Sequence, residues 1–220
     1  MDQFVSCLQG SHWPHLTSLY LDFDSGHLIA EVIGSRANVG LTELDLRGSG
    51  FDYTAWNAIL RYPRLVTTLE TLYLADCLHV TSDMVHRILA SLPNIIRFSA
   101  PAMHDGDVYE GIDAHRWVCL GLKSFQVTIR VCGGPEGHAA FHRKLGLLTN
   151  LEQLWTSNNH DHYNGLCFRL GMGLDILQGL GRNLKDVNFA KSGSLSDADV
   201  SWMATHWSRL ELAPKRSRCL

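Results

Sequence analysis

The chain has 12 His residues, and two His clusters have spacings that suggest metal binding. His138 and His142 are four residues apart in a segment predicted to be helical, which places both rings on one face. Ala139 occupies the position where an HExxH enzyme has its catalytic glutamate. His160, Asp161 and His162 are adjacent in a predicted loop, where alternate side chains often diverge. With no third ligand at motif spacing, we interpret both clusters as solvated polar groups.

Other residues that could do chemistry lack the partners that the chemistry needs. Cys132 precedes a Gly-Gly-Pro loop with no evident His base, which argues against a nucleophilic thiol. The pairs Gly171/Gly173 and Gly179/Gly181 have no third glycine in a dinucleotide-binding frame, and we interpret them as turn glycines. The sequence therefore predicts no enzyme, catalytic residue, metal or cofactor. A His-dependent metal enzyme stays as the less favoured alternative.

The chain is organised by a triplet at offsets 1, 4 and 6 of a repeated unit, and of the 24 anchor positions only Thr156 is polar. The triplets are Leu16-Leu19-Leu21, Leu41-Leu44-Leu46, Leu69-Leu72-Leu74, Ile95-Phe98-Ala100, Leu122-Phe125-Val127, Leu151-Leu154-Thr156, Leu184-Val187-Phe189 and Trp207-Leu210-Leu212. Successive units are spaced by 25, 28, 26, 27, 29, 33 and 23 residues. A period near 27 is typical of leucine-rich repeats.

The residues between the anchors show the alternation of a strand with one buried face. Offset 5 is occupied by Tyr20, Asp45, Tyr73, Ser99, Gln126, Trp155, Asn188 and Glu211. Offsets 3, 5 and 7 together give 24 positions, and none holds Leu, Ile, Val, Met or Phe. Eight strands in one frame are strong evidence for this register.

A helical pattern follows some of the strands. After Leu74, capping residues at 81–83 precede an apolar face that includes Met84 and Ile88. After Phe189, the pattern runs from Ser196 through Met203. Residues 103–116 are expected to form a surface loop, residues 157–165 a polar turn, and Leu166–Leu170 is a candidate extra strand.

The segment LETLYLADCLHVTSDMV resembles the cysteine-containing leucine-rich repeat, with Cys77 in the cysteine slot and Ser82 where an Asp is expected. LKDVNFAKSGSLSDADV is similar, with Ser192 in the cysteine slot. These units resemble those of F-box/LRR proteins, and WVCLGLKSF and DADVSWMATHW look like the divergent fungal members. The resemblance implies a ribonuclease-inhibitor-like fold, an interior position for Cys77, and substrate recognition for a ubiquitin ligase. Only 15 residues precede Leu16, so the F-box itself is expected to be absent.

We therefore predict an α/β fold: a right-handed leucine-rich-repeat solenoid, or horseshoe, with a parallel β-sheet on its concave face and helices outside. It is expected to span residues 1–214 as one domain of about eight repeats, followed by a basic tail at 215–220. The concave face is predicted to bind a protein partner, because aromatic side chains are frequent binding hot spots. The candidate binding residues are Tyr20, Glu43, Asp45, Arg47, Tyr73, Arg97, Gln126, Trp155 and Asn188.

Composition limits the partners and the compartment. A net charge of -3 and mixed charges on the predicted face disfavour nucleic acid, and no apolar run reaches the roughly 20 residues that cross a bilayer. Six irregularly spaced cysteines and a start without an apolar signal indicate reduced thiols in the cytosol or nucleus. We expect a monomer that recognises a protein substrate, with a Skp-type adaptor as partner only where an F-box lies upstream. A free-standing scaffold or inhibitor is the alternative.

Overall fold

A computed structural model describes residues 15–36, 40–104, 116–156, 165–188 and 195–210. Within these ranges the chain forms seven strands, six α-helices and two 3₁₀ helices. The strands are β1 (Ser18–Tyr20), β2 (Glu43–Asp45), β3 (Thr71–Tyr73), β4 (Arg97–His104), β5 (Ser124–Arg130), β6 (Gln153–Trp155) and β7 (Asp186–Asn188). The α-helices are α1 (Gly26–Arg36), α2 (Tyr53–Leu60), α3 (Pro63–Thr68), α4 (Ser82–Ser91), α5 (Gly134–Gly146) and α6 (Asp197–His206), and the 3₁₀ helices span Leu170–Met172 and Leu174–Arg182.

The seven strands form one parallel sheet whose spatial order is the order of the chain. Leu44 pairs with Leu72, and Leu72 pairs with Phe98, so residues at offset 4 lie side by side across the sheet. The register is therefore the one that the anchor alignment predicts. This repeat-like α/β architecture agrees with the predicted fold class at the level of parallel strands and intervening helices.

The core lies on one side of the sheet, where the anchors pack against the helices. Leu44, Leu72, Phe98, Phe125 and Leu154 are all fully buried. The Phe98 and Phe125 rings lie 6.3 Å apart, measured between centroids. The predicted alternation between anchors and polar positions is confirmed, because burying these side chains fixes which face each strand turns inward.

The two helices predicted from capping patterns are present. Thr81 precedes α4, and its Oγ1 accepts a hydrogen bond from the Met84 amide at 3.2 Å. Ser196 precedes α6 and forms a reciprocal capping box with Asp199. Each cap satisfies amides that the first helical turn leaves without a backbone partner.

Side-chain hydrogen bonds connect several units to the unit before them. The amides of Asn94, Asn150 and Asn183 donate to the carbonyls of Thr67, Leu120 and Thr149, at 2.7, 3.0 and 3.0 Å. Cys77 is buried, and its Sγ donates to the Leu46 carbonyl at 2.9 Å. The interior position that the resemblance implied for Cys77 is confirmed.

Two sequence-based interpretations of residues 138–170 are wrong. His138 and His142 are buried rather than solvated, because α5 packs against the following part of the chain: the Cys167 amide contacts the His138 ring, and the carbonyl of Met172 in the first 3₁₀ helix contacts the His142 ring. Leu166–Leu170 forms no extra strand: Gly165 makes a single antiparallel bridge to Arg130, and a 3₁₀ helix begins at Leu170.

The turn interpretation of the glycines holds only in part. Gly173 has a φ of 87°, whereas Gly171, Gly179 and Gly181 lie within 3₁₀ helices.

Several predicted features lie outside the described residues. They are the segment before residue 15, most of the 103–116 loop, the 157–164 turn with His160, Asp161 and His162, the end of the eighth triplet, and the 215–220 tail. Within the described part of the chain, Met103 and His104 belong to β4 rather than to a loop. No helix in the ranges given above has the length and apolar character needed to cross a membrane.

Candidate protein-binding face

The side chains opposite the core form a polar surface, which we call the polar face: the described residues at offsets 3, 5 and 7 of the units that contain β1 to β7. Its central row is formed by the strand-paired residues Tyr20, Asp45, Tyr73, Ser99, Gln126, Trp155 and Asn188. Glu43 and Arg97 lie in the row before it, and Arg47 follows Asp45 by two positions. The structure thus brings all nine predicted binding residues onto one face.

Arg47, Asp45 and Tyr73 form a cluster on β2 and β3. Arg47 Nη2 lies 2.6 Å from Asp45 Oδ2, and Arg47 Nε lies 3.0 Å from Asp45 Oδ1. The guanidinium is also 5.3 Å from the centroid of the Tyr73 ring. The hydrogen bonds from Arg47 lower the pKa of the Asp45 carboxyl, so this pair stays ionised. A planar charge held over an aromatic ring offers a rigid surface to a partner.

Two further aromatic side chains reach solvent from the central row. Tyr20 is 61% exposed and Trp155 is 37% exposed. The Trp155 indole Nε1 donates to Asp186 Oδ2 at 3.0 Å, which fixes the orientation of the ring. Trp155 is therefore a preorganised apolar contact whose polar atom is already satisfied.

The remaining predicted residues supply polar contacts. Glu43 accepts a hydrogen bond from the Ser18 hydroxyl at 2.9 Å, and Gln126 Nε2 makes a long contact of 3.5 Å with Ser124 Oγ. Arg97 and Asn188 are exposed. These groups place both hydrogen-bond donors and hydrogen-bond acceptors around the aromatic side chains.

The polar face contains a recess that sequence reasoning missed. It has a volume of about 160 Å³ and is lined by Ala75, Asp76, Ser99, Ala100, Pro101, Gln126, Val127, Thr128 and Trp155. The pairing of β4 with β5 shifts register between Ala100 and Ala102, as expected where Pro101 cannot donate to the ladder. The small Ser99 and the proline in an offset-7 position were the available signals in the sequence.

The buried titratable groups have roles in packing. His138 Nδ1 accepts from the Cys167 amide at 3.1 Å, and His142 Nδ1 donates to the Met172 carbonyl at 3.0 Å. Burial lowers the pKa of His142 to about 4, and burial raises the pKa of Cys119 to about 12. Over the described ranges, no three His, Cys, Asp or Glu side chains are grouped as metal ligands.

Comparisons with known proteins assign no family to this chain. No family model matches the chain, and no curated protein does. Among solved structures, the chain is similar to the C-terminal domain of tropomodulin from Caenorhabditis elegans, at 11% identity and a TM-score of 0.30. That alignment covers 94% of this chain and 91% of the tropomodulin domain.

Proposed function

We propose that this chain is a protein-binding module, a right-handed leucine-rich-repeat solenoid that holds an extended segment of a partner against its polar face. The observation that carries the proposal is the central row, in which Tyr73 and Trp155 lie on strands of one sheet. Contacts with neighbouring side chains hold both rings in place: Arg47 lies over Tyr73, and Asp186 accepts a hydrogen bond from Trp155. Three strand spacings of about 4.8 Å separate these residues by about 14 Å, which one extended peptide segment can cover. A partner gains from such contacts because little side-chain freedom remains to be lost.

We propose further that the module selects protein substrates for ubiquitin-dependent degradation, as the resemblance to F-box/LRR proteins implies. In that role a Skp-type adaptor would be a partner only where an F-box lies upstream. The mixed charge of the polar face, where Asp45 and Asp186 offset Arg47 and Arg97, supports the prediction that nucleic acid is not a partner. The second candidate is a free-standing scaffold or inhibitor that uses the same face.

The binding role is tested by affinity capture from cell extract, followed by titration of the purified partner. Tyr73→Ala and Trp155→Ala should each weaken Kd by about 30-fold, as truncation of a hot spot does. Val200→Ser is the control, because Val200 is exposed on α6, away from the sheet. Binding that survives both aromatic substitutions but fails in Val200→Ser would reject the polar face as the binding surface.

The ligase role is tested by the lifetime of the captured partner in cells. If the module selects substrates, Trp155→Ala should lengthen the partner's half-life, and blocking the proteasome should abolish the difference. A half-life that stays the same while binding is lost would favour the scaffold or inhibitor.

A further inference from the structure

The recess on the polar face has the composition of a site for one side chain. Its walls include the apolar residues Ala75 and Pro101 at offset-7 positions of the polar face, and the Trp155 side chain borders it. The anchors Ala100 and Val127 also line it, but they are buried on the core side of the sheet. The opening exists because Ser99 is the smallest residue of the central row, between Tyr73 on β3 and Gln126 on β5. A side chain as long as that of Tyr73 or Gln126, placed at the position of Ser99, would fill the recess.

Ser99 supplies an independent indication of a ligand. Ser99 is only 4% exposed, yet within the described part of the chain its Oγ has no hydrogen-bond partner. Buried hydroxyls are nearly always satisfied, and those that are not require an explanation. A polar group entering the recess would provide the missing partner.

Asp76 determines the charge of the group that fits. It is the one charged residue lining the recess, and it is exposed. Its φ of 64° is left-handed, which is unusual for a residue other than glycine and fixes the turn after β3. A carboxylate at the rim, with apolar walls beneath it, complements a cation carried on a methylene stem.

We propose that this recess binds a lysine or arginine side chain of the partner protein. The methylene stem packs on the apolar walls, the cation approaches Asp76, and Ser99 Oγ accepts one of its hydrogen bonds. The indole of Trp155 borders the cation and adds a cation–π contribution. This inference rests on the proposed function, because it assigns one specificity position to the protein segment held on the polar face.

The test uses a phage-displayed library of random dodecapeptides selected on the immobilised full chain. Enriched peptides should share a Lys or Arg at one position and should bind Trp155→Ala weakly. For a synthesised peptide, replacing that Lys by norleucine, or that Arg by citrulline, should weaken Kd at least fivefold. Asp76→Asn should do the same, and combining the peptide and protein changes should add little further loss. The interaction should also weaken with added salt.

Two control substitutions separate charge from folding. Asn adopts the left-handed conformation readily, so Asp76→Asn removes the charge while keeping the turn. Asp197→Asn makes the same charge change on an exposed residue of α6, off the polar face, and it should leave peptide affinity unchanged. Ser99→Leu, which fills the recess, should abolish the preference for the basic residue.

The outcomes distinguish the two proposals. Enriched peptides that depend on Trp155 but share no basic residue, or that bind Asp76→Asn as well as wild type, would overturn the recess assignment and leave the protein-binding role standing. Peptides insensitive to Trp155→Ala, or no enrichment at all, would contradict the polar face as a binding surface, and the recess with it.

Discussion

Leu72→Ala is the substitution that most directly tests the register of the sheet. Leu72 is 0% exposed and is paired on one side with Leu44 and on the other with Phe98. The strands on both sides are held by backbone hydrogen bonds, so the cavity left by truncation cannot collapse. Leu-to-Ala changes at buried sites cost about 2 to 5 kcal/mol, and we expect about 4 kcal/mol of unfolding free energy here. That is a large fraction of the stability of an ordinary domain.

The matched control is Tyr73→Ala, one residue further along the same strand. It removes a half-buried ring and its contact with Arg47, so we expect a loss of about 1 kcal/mol. Stability is measured by urea unfolding, followed by both far-UV circular dichroism and tryptophan fluorescence to check that the transition is cooperative. Equal losses for the two variants, or a larger loss for Tyr73→Ala, would refute the assignment of Leu72 to the core and Tyr73 to the polar face.

Two further predictions concern the part of the chain around α5 and α6. Burial lowers the pKa of His142 from 6.5 to about 4. Between these pH values the unfolded chain therefore binds a proton at His142 that the folded chain does not. The free energy of unfolding should fall by on the order of 3 kcal/mol as the pH is lowered from 6.5 to 4. His142→Gln should remove that part of the loss in urea titrations at pH 7, 5.5 and 4; an unchanged pH dependence would contradict it. Gly181→Ala should lower Tm by about 4 to 8 °C, because its Cβ would collide with the His206 carbonyl, whereas Gly179→Ala has room and should change Tm little. Equal Tm values for the two glycine variants in a thermal scan would count against this packing.

The anchors could be predicted because successive side chains of a strand point to opposite faces of the sheet, and only one of these faces is buried. A shift of one residue at Leu72 would turn Tyr73 and Thr71 toward the core, so a single register satisfies all the strands. The α4 and α6 helices were also predictable, because Thr81 and Ser196 act locally on the first helical turn. The Asn ties could have been found as well, since Asn94 and Asn183 each immediately precede the first anchor of a unit.

The buried histidines could not be predicted, because their environment comes from residues far along the chain. Hydrophobic patterning treats His138 and His142 as polar, yet their partners Cys167 and Met172 lie about 30 residues later. The recess was missed for a similar reason. It depends on three strands and a turn meeting around Ser99, and no single segment encodes that space.

The pairing of each strand only with its neighbours in the chain has a mechanical consequence. Register partners such as Leu44 and Leu72, or Leu72 and Phe98, are 28 and 26 residues apart, so detaching one strand releases one unit and leaves the pairing beyond it intact. A pulling force on the two ends would then peel units from an edge of the sheet. Each event would lengthen the tether by about 90 to 100 Å of contour, at roughly 3.5 Å for each freed residue. Under force the protein would therefore extend in a series of small steps, each from the unfolding of one unit.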